Sequence, residues 1–255
     1  MKVRVVSDVH MDMLNGPTRE KRLRKICDRE SSAEVLIVAG DLCEAREETL
    51  YRRLIKEFTS SFKYVLMVPG NHEYYGSSIE ATNSFLAQLE IDYPTFINLN
   101  NYDESIEING IPFIGATLWF DGESPDAILN KGYLNDYIQI KDFSAKIPQL
   151  GKTGKNKLVA GIIEGTSVVV THHAPLLECA SRSVYRDQVQ TRAFYVNDCQ
   201  KIIAQKKPRA WFHGHMHVPN VFVPAFSTNT LVLSNPLGYQ FESTGGNPRL
   251  TITLS

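Results

Sequence analysis

The chain has 255 residues, of which 43% are hydrophobic and 22% charged, a balance that fits a soluble globular protein with one sizeable core. A formal net charge of −1 offers no basic field for a nucleic-acid backbone, and no apolar run reaches the ~20 residues needed to cross a bilayer. Cys27, Cys43, Cys179 and Cys199 stand far apart with no CxxC spacing, so neither a zinc ribbon nor a disulfide framework is expected.

The N-terminal run turns polar at Ser7 and Asp8, too soon for a secretory leader. With free thiols, this predicts a cytoplasmic protein. Layered folds of this length form around one core, so one domain spanning 1–255 is expected.

Lys2 to Val6 is a β-branched run ending at Ser7-Asp8-Val9-His10. After the turn signal Asn15-Gly16-Pro17, Thr18 is the expected N-cap of a helix over about 18–29. The order then recurs: the apolar run 34–39 ends at Gly40-Asp41, and Leu50, Leu54 and Phe58 follow at helical spacing. A third run, 63–68, leads to Pro69-Gly70-Asn71-His72-Glu73 and a helix predicted over about 77–89. Continuous apolar strands alternating with helices predict a parallel sheet buried on both faces. Ligands gather at the carboxyl ends of such strands, where Asp8, His10, Asp41, Asn71 and His72 all fall.

Beyond Ile91 the pattern changes. Asn109-Gly110 is a hairpin signal between the runs 104–108 and 111–116, which predicts an antiparallel pair. An aromatic loop from Thr117 to Gly122 follows, with a helix expected near Asp142. A fourth buried run, 166–170, ends in Thr171-His172-His173. A helix over about 195–205 leads to a fifth run and to Phe212-His213-Gly214-His215-Met216-His217. The remaining apolar runs, 221–226, 231–233 and 250–254, read as a closing antiparallel meander.

All seven histidines stand just behind apolar runs. A pair of transition-metal ions needs imidazoles and carboxylates converging from several segments, with one group spanning both ions. Asp8 and His10 give a carboxylate and an imidazole from one loop. Asp41 follows a glycine and has two oxygens, so it is the natural bridge, and Asn71 offers a neutral carbonyl. Two carboxylates against two divalent ions leave a net positive site, as an anionic phosphate requires.

Asp8-Val9-His10, Gly40-Asp41 with Glu44, Gly70-Asn71-His72-Glu73, His172-His173 and Gly214-His215-Met216-His217 resemble, in order, the five motifs of the calcineurin-like metallophosphoesterases. The resemblance implies an α/β fold of four layers, two mixed β-sheets flanked by helices, with a dinuclear centre at one sheet edge. It implies one metal on Asp8, His10, Asp41 and His217 and another on Asp41, Asn71, His172 and His215. The ions implied are two of manganese, iron, zinc, nickel or cobalt, since nitrogen and oxygen donors suit all five. It further implies a phosphoric ester hydrolase in which a metal-bound hydroxide attacks phosphorus in line, His72 protonates the leaving group and Glu44 orients His72.

The expected substrate is a phosphate ester, a small molecule or a nucleotide, with no membrane partner. A diester is favoured because the protein-phosphatase signature is incomplete: Glu44 replaces the commoner aspartate and Ala45 the arginine after it. The alternatives are a nuclease acting on DNA or RNA, against which the missing basic patch counts, and a non-catalytic scaffold, against which the complete ligand set counts.

Other residues carry plainer readings. His173 and His213 are expected to pack or support rather than ligate. Glu44 reads equally as the start of an acidic helix, and Glu73 is assigned no chemistry. Gly151-Lys152-Thr153 imitates a phosphate-binding loop but lacks its strand, so a flexible basic loop is expected. Glu178, Arg182 and Arg186 read as a salt-bridged helix face, the arginines being weak substrate candidates. Tyr74, Tyr75, Trp119, Phe120, Tyr185 and Tyr239 stay unassigned.

Overall fold

The computed structural model describes residues 1–28, 32–180, 193–227 and 229–254. The first three apolar runs form parallel strands: β1 (Lys2–Val6), β2 (Val35–Ala39) and β3 (Tyr64–Val68). β4 (Phe96–Asn98) extends the sheet in parallel. Between them run α1 (Gly16–Ile26), α2 (Glu48–Ser61) and α3 (Ile79–Asp92). Alternation along β2 sorts its side chains. Leu36 and Val38 pack with Leu23, Leu54, Phe58 and Leu86 of the helices, while Val35, Ile37 and Ala39 face the opposite way, into the space between the sheets.

The second sheet comprises β5 (Ile106–Ile108), β6 (Ile111–Ala116), β7 (Val168–Thr171), β8 (Ala210–His213), β9 (Asn220–Phe222) and β10 (Leu231–Ser234), ordered β5-β6-β7-β8-β10-β9. Its inner face sends Phe113, Val168, Val170, Phe212 and Leu233 against the first sheet. Its outer face puts Ile114, Val169, Trp211 and Val232 on Leu158 and Ile202. The connection from β6 to β7 carries α4 (Pro125–Asn130), α5 (Asp136–Gln139) and α6 (Phe143–Gly161), and α7 (Gln200–Lys206) precedes β8. Two mixed β-sheets flanked by helices are therefore stacked as the motifs implied.

Four local expectations change. The closing segments form no meander: β9 pairs antiparallel with β10, but β10 is parallel to β8. The last strand, β11 (Thr251–Thr253), crosses to the other sheet and pairs with β1, which gives the order β11-β1-β2-β3-β4. The Gly151-Lys152-Thr153 stretch is no loop but the middle of α6, where Gly151 fits because a Cβ would lie 2.3 Å from the Phe120 carbonyl. α1 is capped by Asn15, whose side chain accepts the Thr18 N–H at 2.9 Å. α7 begins at Gln200, not near 195.

Arg182, Arg186 and Tyr185 lie outside the described residues. No helix among the described residues is long and apolar enough to cross a membrane.

Candidate metal centre

The loops at the carboxyl ends of β1, β2, β3, β7 and β8 meet at one edge of the two sheets, and their backbones are laced together. The N–H groups of Val9 and His10 donate to Asp41 O at 2.7 and 3.0 Å, and the Gly214 N–H donates to His172 O at 3.0 Å. The Asp8 carboxylate joins the sheets by accepting the His215 N–H at 2.8 Å.

Five of the candidate ligands have left-handed backbones: Asp8 (φ 49°), His10 (44°), Asp41 (56°), His215 (66°) and His217 (49°). Non-glycine residues avoid this region at a cost of roughly 1–2 kcal/mol each, and such strain concentrates at functional sites. Two glycines make room. Gly40 has φ +84° and a Cβ there would lie 2.2 Å from His172 Nδ1, while a Cβ on Gly70 would lie 2.1 Å from Asp41 Oδ1.

Two donor groups result. Asp8, His10, Asp41 and His217 form one, and Asp41, His172 and His215 the other, with the donor atoms of each group within 4.8 Å of one another. Asp41 Oδ2 faces both, 3.7 Å from His10 Nε2 and 3.4 Å from His172 Nε2. Asn71 joins the second through Oδ1, 3.0 Å from His172 Nε2. Imidazole nitrogens confront each other at 3.1 Å in both groups, His10 Nε2 with His217 Nε2 and His172 Nε2 with His215 Nδ1.

Burial holds His10 and His215 well below the ordinary imidazole range, so both rings are neutral and present lone pairs. In each pair the neutral ring turns a lone pair towards its partner's nitrogen at that distance, an arrangement that suits a shared cation. The outer nitrogens agree: His172 Nδ1 is held by Ala39 O at 3.0 Å and His217 Nδ1 by Glu242 Oε2 at 2.7 Å, which turns each Nε2 inward, as metal-binding histidines require. The residues present thus fit two divalent ions.

Electrostatics single out Asp41. Burial pushes its carboxyl up, but the imidazoles of His172, His72 and His10 overrule burial and hold it well below the usual carboxylate range. Burial likewise lowers His172, yet Asp41 and Asp8 raise it to about 9. Asp8 is pushed up, mainly by burial.

His72 is half-buried at the mouth, its backbone N–H on Asp41 Oδ1 at 3.0 Å and its ring 4.6 Å from that of His10. Glu44 departs from expectation: its carboxylate pairs with Arg46, and His72 Nδ1 is buried without a hydrogen-bond partner. Arg46, two residues on, draws the glutamate away. His173 is buried on Thr117 O through Nδ1 at 3.0 Å, and His213 Nδ1 lies 3.0 Å from Gly214 O. Neither joins a donor group, and burial lowers them to about 3 and about 4.

Three acidic residues at the centre had no sequence assignment. Fully buried Glu73 accepts the N–H groups of Asp41, Leu42 and Gly70 at 3.0, 2.7 and 2.6 Å, so it shapes two ligand loops at once. Asp136 accepts from Asn71 Nδ2 and from the Tyr75 hydroxyl. Glu242 holds His217. Only Glu73 had a signal, its place inside a ligand motif; the other two are distant in sequence.

A cavity of about 480 Å³ opens over the centre. Its walls include Tyr75, Tyr133, Asn135, Tyr195, Tyr239 and Glu242, and none of its described lining residues is lysine or arginine.

The profile of the calcineurin-like phosphoesterase family matches residues 1–219. An uncharacterised protein, L509, of Acanthamoeba polyphaga mimivirus is 27% identical over 99% of this chain and 96% of its own length. Among solved structures, the phosphopantetheinyl hydrolase PptH of Mycobacterium tuberculosis superposes with a TM-score of 0.71 at 15% identity, covering 93% of this chain and 89% of that one. A dimetal phosphatase from Danio rerio does so with a TM-score of 0.50 at 13% identity, covering 92% and 86%. At these identities the two structures show a shared fold.

Proposed function

The chain belongs to the calcineurin-like phosphoesterase family and is a metal-dependent phosphoester hydrolase; within that class we propose that it cleaves diesters with two divalent metal ions. Asp8, His10, Asp41 and His217 hold one ion, and Asp41, Asn71, His172 and His215 hold the other. Bound there, the ions polarise the phosphoryl oxygens and supply the positive charge that draws in an ester anion.

The diester reading rests on one observation: no described cavity wall carries a lysine or arginine, while Glu242 adds a carboxylate. A monoester dianion is met most strongly by guanidinium or ammonium donors around its free oxygens. A diester carries a single negative charge, which the centre itself balances, and its second arm needs the polar and aromatic walls this cavity has. The absence of cations among the described wall residues counts against a polynucleotide, whose flanking phosphates need basic contacts.

The chain's own groups divide the remaining work. Asn71 is held by Asp136 with its carbonyl oxygen inward. His72 stands at the mouth, within reach of an ester oxygen, to give its proton to the leaving alcohol. Tyr75, its ring 4.3 Å from that of His72, limits the imidazole's swing.

Manganese-loaded protein is expected to hydrolyse bis-p-nitrophenyl phosphate with a higher kcat/KM than p-nitrophenyl phosphate. A preference for the monoester would overturn the diester reading, and no metal-dependent turnover of either would overturn the assignment of the centre.

A further inference from the structure

The turn over residues 236–242 follows β10 and lies beyond the stretch that the family profile matches. It is fastened to the first ligand loop, Leu237 N–H donating to Ser7 O at 3.0 Å and Gly238 N–H to Asp8 O at 2.8 Å. Arg22 of α1 adds bonds to the carbonyls of Gly238 and Leu237 at 2.6 and 3.2 Å. The loop that carries Asp8 therefore also fixes where this turn points.

It points Tyr239 into the centre. The phenol ring lies 4.3 Å from the His10 ring and 4.8 Å from the His217 ring, centroid to centroid. Its hydroxyl is 3.4 Å from His72 Nε2. One oxygen of Glu242 accepts both the His217 Nδ1 proton, at 2.7 Å, and the Tyr239 backbone N–H, at 3.1 Å. A single carboxylate thus sets the tautomer of a metal ligand and the place of a phenol.

We propose that Tyr239 is a catalytic residue whose hydroxyl donates a hydrogen bond to the leaving-group oxygen that His72 protonates, with Glu242 as its positioning residue. The inference rests on the phosphoesterase reading above. As general acid, His72 carries its proton on the nitrogen facing Tyr239, so two N–H and O–H donors flank one space. An ester oxygen has the lone pairs to accept both. As a water oxygen bonds to phosphorus, giving up its proton to solvent, and the bond from phosphorus to the leaving oxygen breaks, the proton passes from His72 to the departing alcohol, and Tyr239 keeps its own while stabilising the developing charge. His72 regains a proton from solvent afterwards.

The test compares wild type with Tyr239→Phe, which keeps the ring over His10 and removes only the hydroxyl. Two diesters are used, diphenyl phosphate and bis-p-nitrophenyl phosphate. The variant is expected to lose about tenfold or more in kcat on the phenyl ester and about threefold or less on the nitrophenyl ester. Its KM and its two manganese ions per chain should be unchanged. Equal loss on both esters, no loss on either, or lost metal would overturn the role.

Glu242→Gln is expected to weaken one of the two manganese sites about 10–100-fold and to lower the phenyl-ester rate as well; unaltered binding would remove Glu242 from the scheme. Should wild type cleave neither ester, the functional reading fails by itself, and the phenol is then judged by inorganic phosphate binding to the manganese-loaded protein. Phosphate held about tenfold more weakly by Tyr239→Phe supports the contact, and equal affinity overturns it.

Discussion

Asp136 accepts a hydrogen bond from the side-chain amide of Asn71 at 2.9 Å and, together with the Tyr75 hydroxyl, which accepts from the same Nδ2 at 3.0 Å, fixes which end of that amide faces the candidate metal centre. With Nδ2 held outward, Oδ1 is left 3.0 Å from His172 Nε2. The Tyr75 hydroxyl donates to the same carboxylate oxygen at 2.8 Å. Burial pushes the Asp136 carboxyl up, and these two donors draw it back. Asp136→Leu is therefore expected to weaken the second metal about 10–100-fold and to recover activity at high manganese. Metal titration followed by stoichiometry measurement checks this; unchanged affinity would mean that the amide needs no such hold.

Because Asp41 Oδ2 faces both donor groups, Asp41→Ala should empty both metal positions, whereas His217→Ala should weaken only one. Plasma mass spectrometry of dialysed protein distinguishes the outcomes. Equal loss of both metals from the histidine variant would show that the two groups do not act separately.

His72 is in neither donor group, so His72→Ala should retain both metals while losing rate. The loss is expected to be about 10²-fold or more on diphenyl phosphate and much smaller on bis-p-nitrophenyl phosphate, whose leaving group needs no proton. A uniform loss would assign His72 to substrate binding instead.

Space around Asp41 gives a stability prediction. A methyl group at Gly70 would meet Asp41 Oδ1 at 2.1 Å and Asp41 N at 2.7 Å, both held by the loop. Gly70→Ala should cost about 1–3 kcal/mol and release metal. Gly132→Ala, where nothing lies within 4 Å, should change stability by no more than about 0.5 kcal/mol. Urea unfolding of both variants makes the comparison.

Metal affinity should climb with pH. In the metal-free protein, burial lowers His172 but Asp41 outweighs it and raises the imidazole to about 9, so below that pH the ring holds a proton that an incoming cation must expel. Affinity is expected to rise about tenfold per pH unit towards that value and to flatten above it. Calorimetric titrations at pH 7 and pH 8, in buffers of different ionisation enthalpy, count the proton released. A pH-independent affinity would show His172 to be neutral already.

The alternation of buried runs with helices was enough to place Asp8, His10, Asp41, Asn71 and His72 at the ends of parallel strands, because continuous apolar strands can only be buried on both faces and must put polar groups at their termini. Motif order supplied the remaining candidate ligands, His172, His215 and His217, which the fold brings into the two donor groups. Local sequence could not say that Glu44 would be drawn to Arg46, that Gly151-Lys152-Thr153 would be helical, or that β11 would cross to the other sheet. Each outcome depends on a competing partner or surface that folding brings up from elsewhere in the chain. The supporting carboxylates show the same division. Glu73 sits within a motif, but Asp136 meets Asn71 across 65 positions and Glu242 meets His217 across 25. A carboxylate's reach is a few ångströms in space and carries no mark in sequence, so the candidate ligands were determined by the chain itself, while their orientation was decided by the tertiary structure alone.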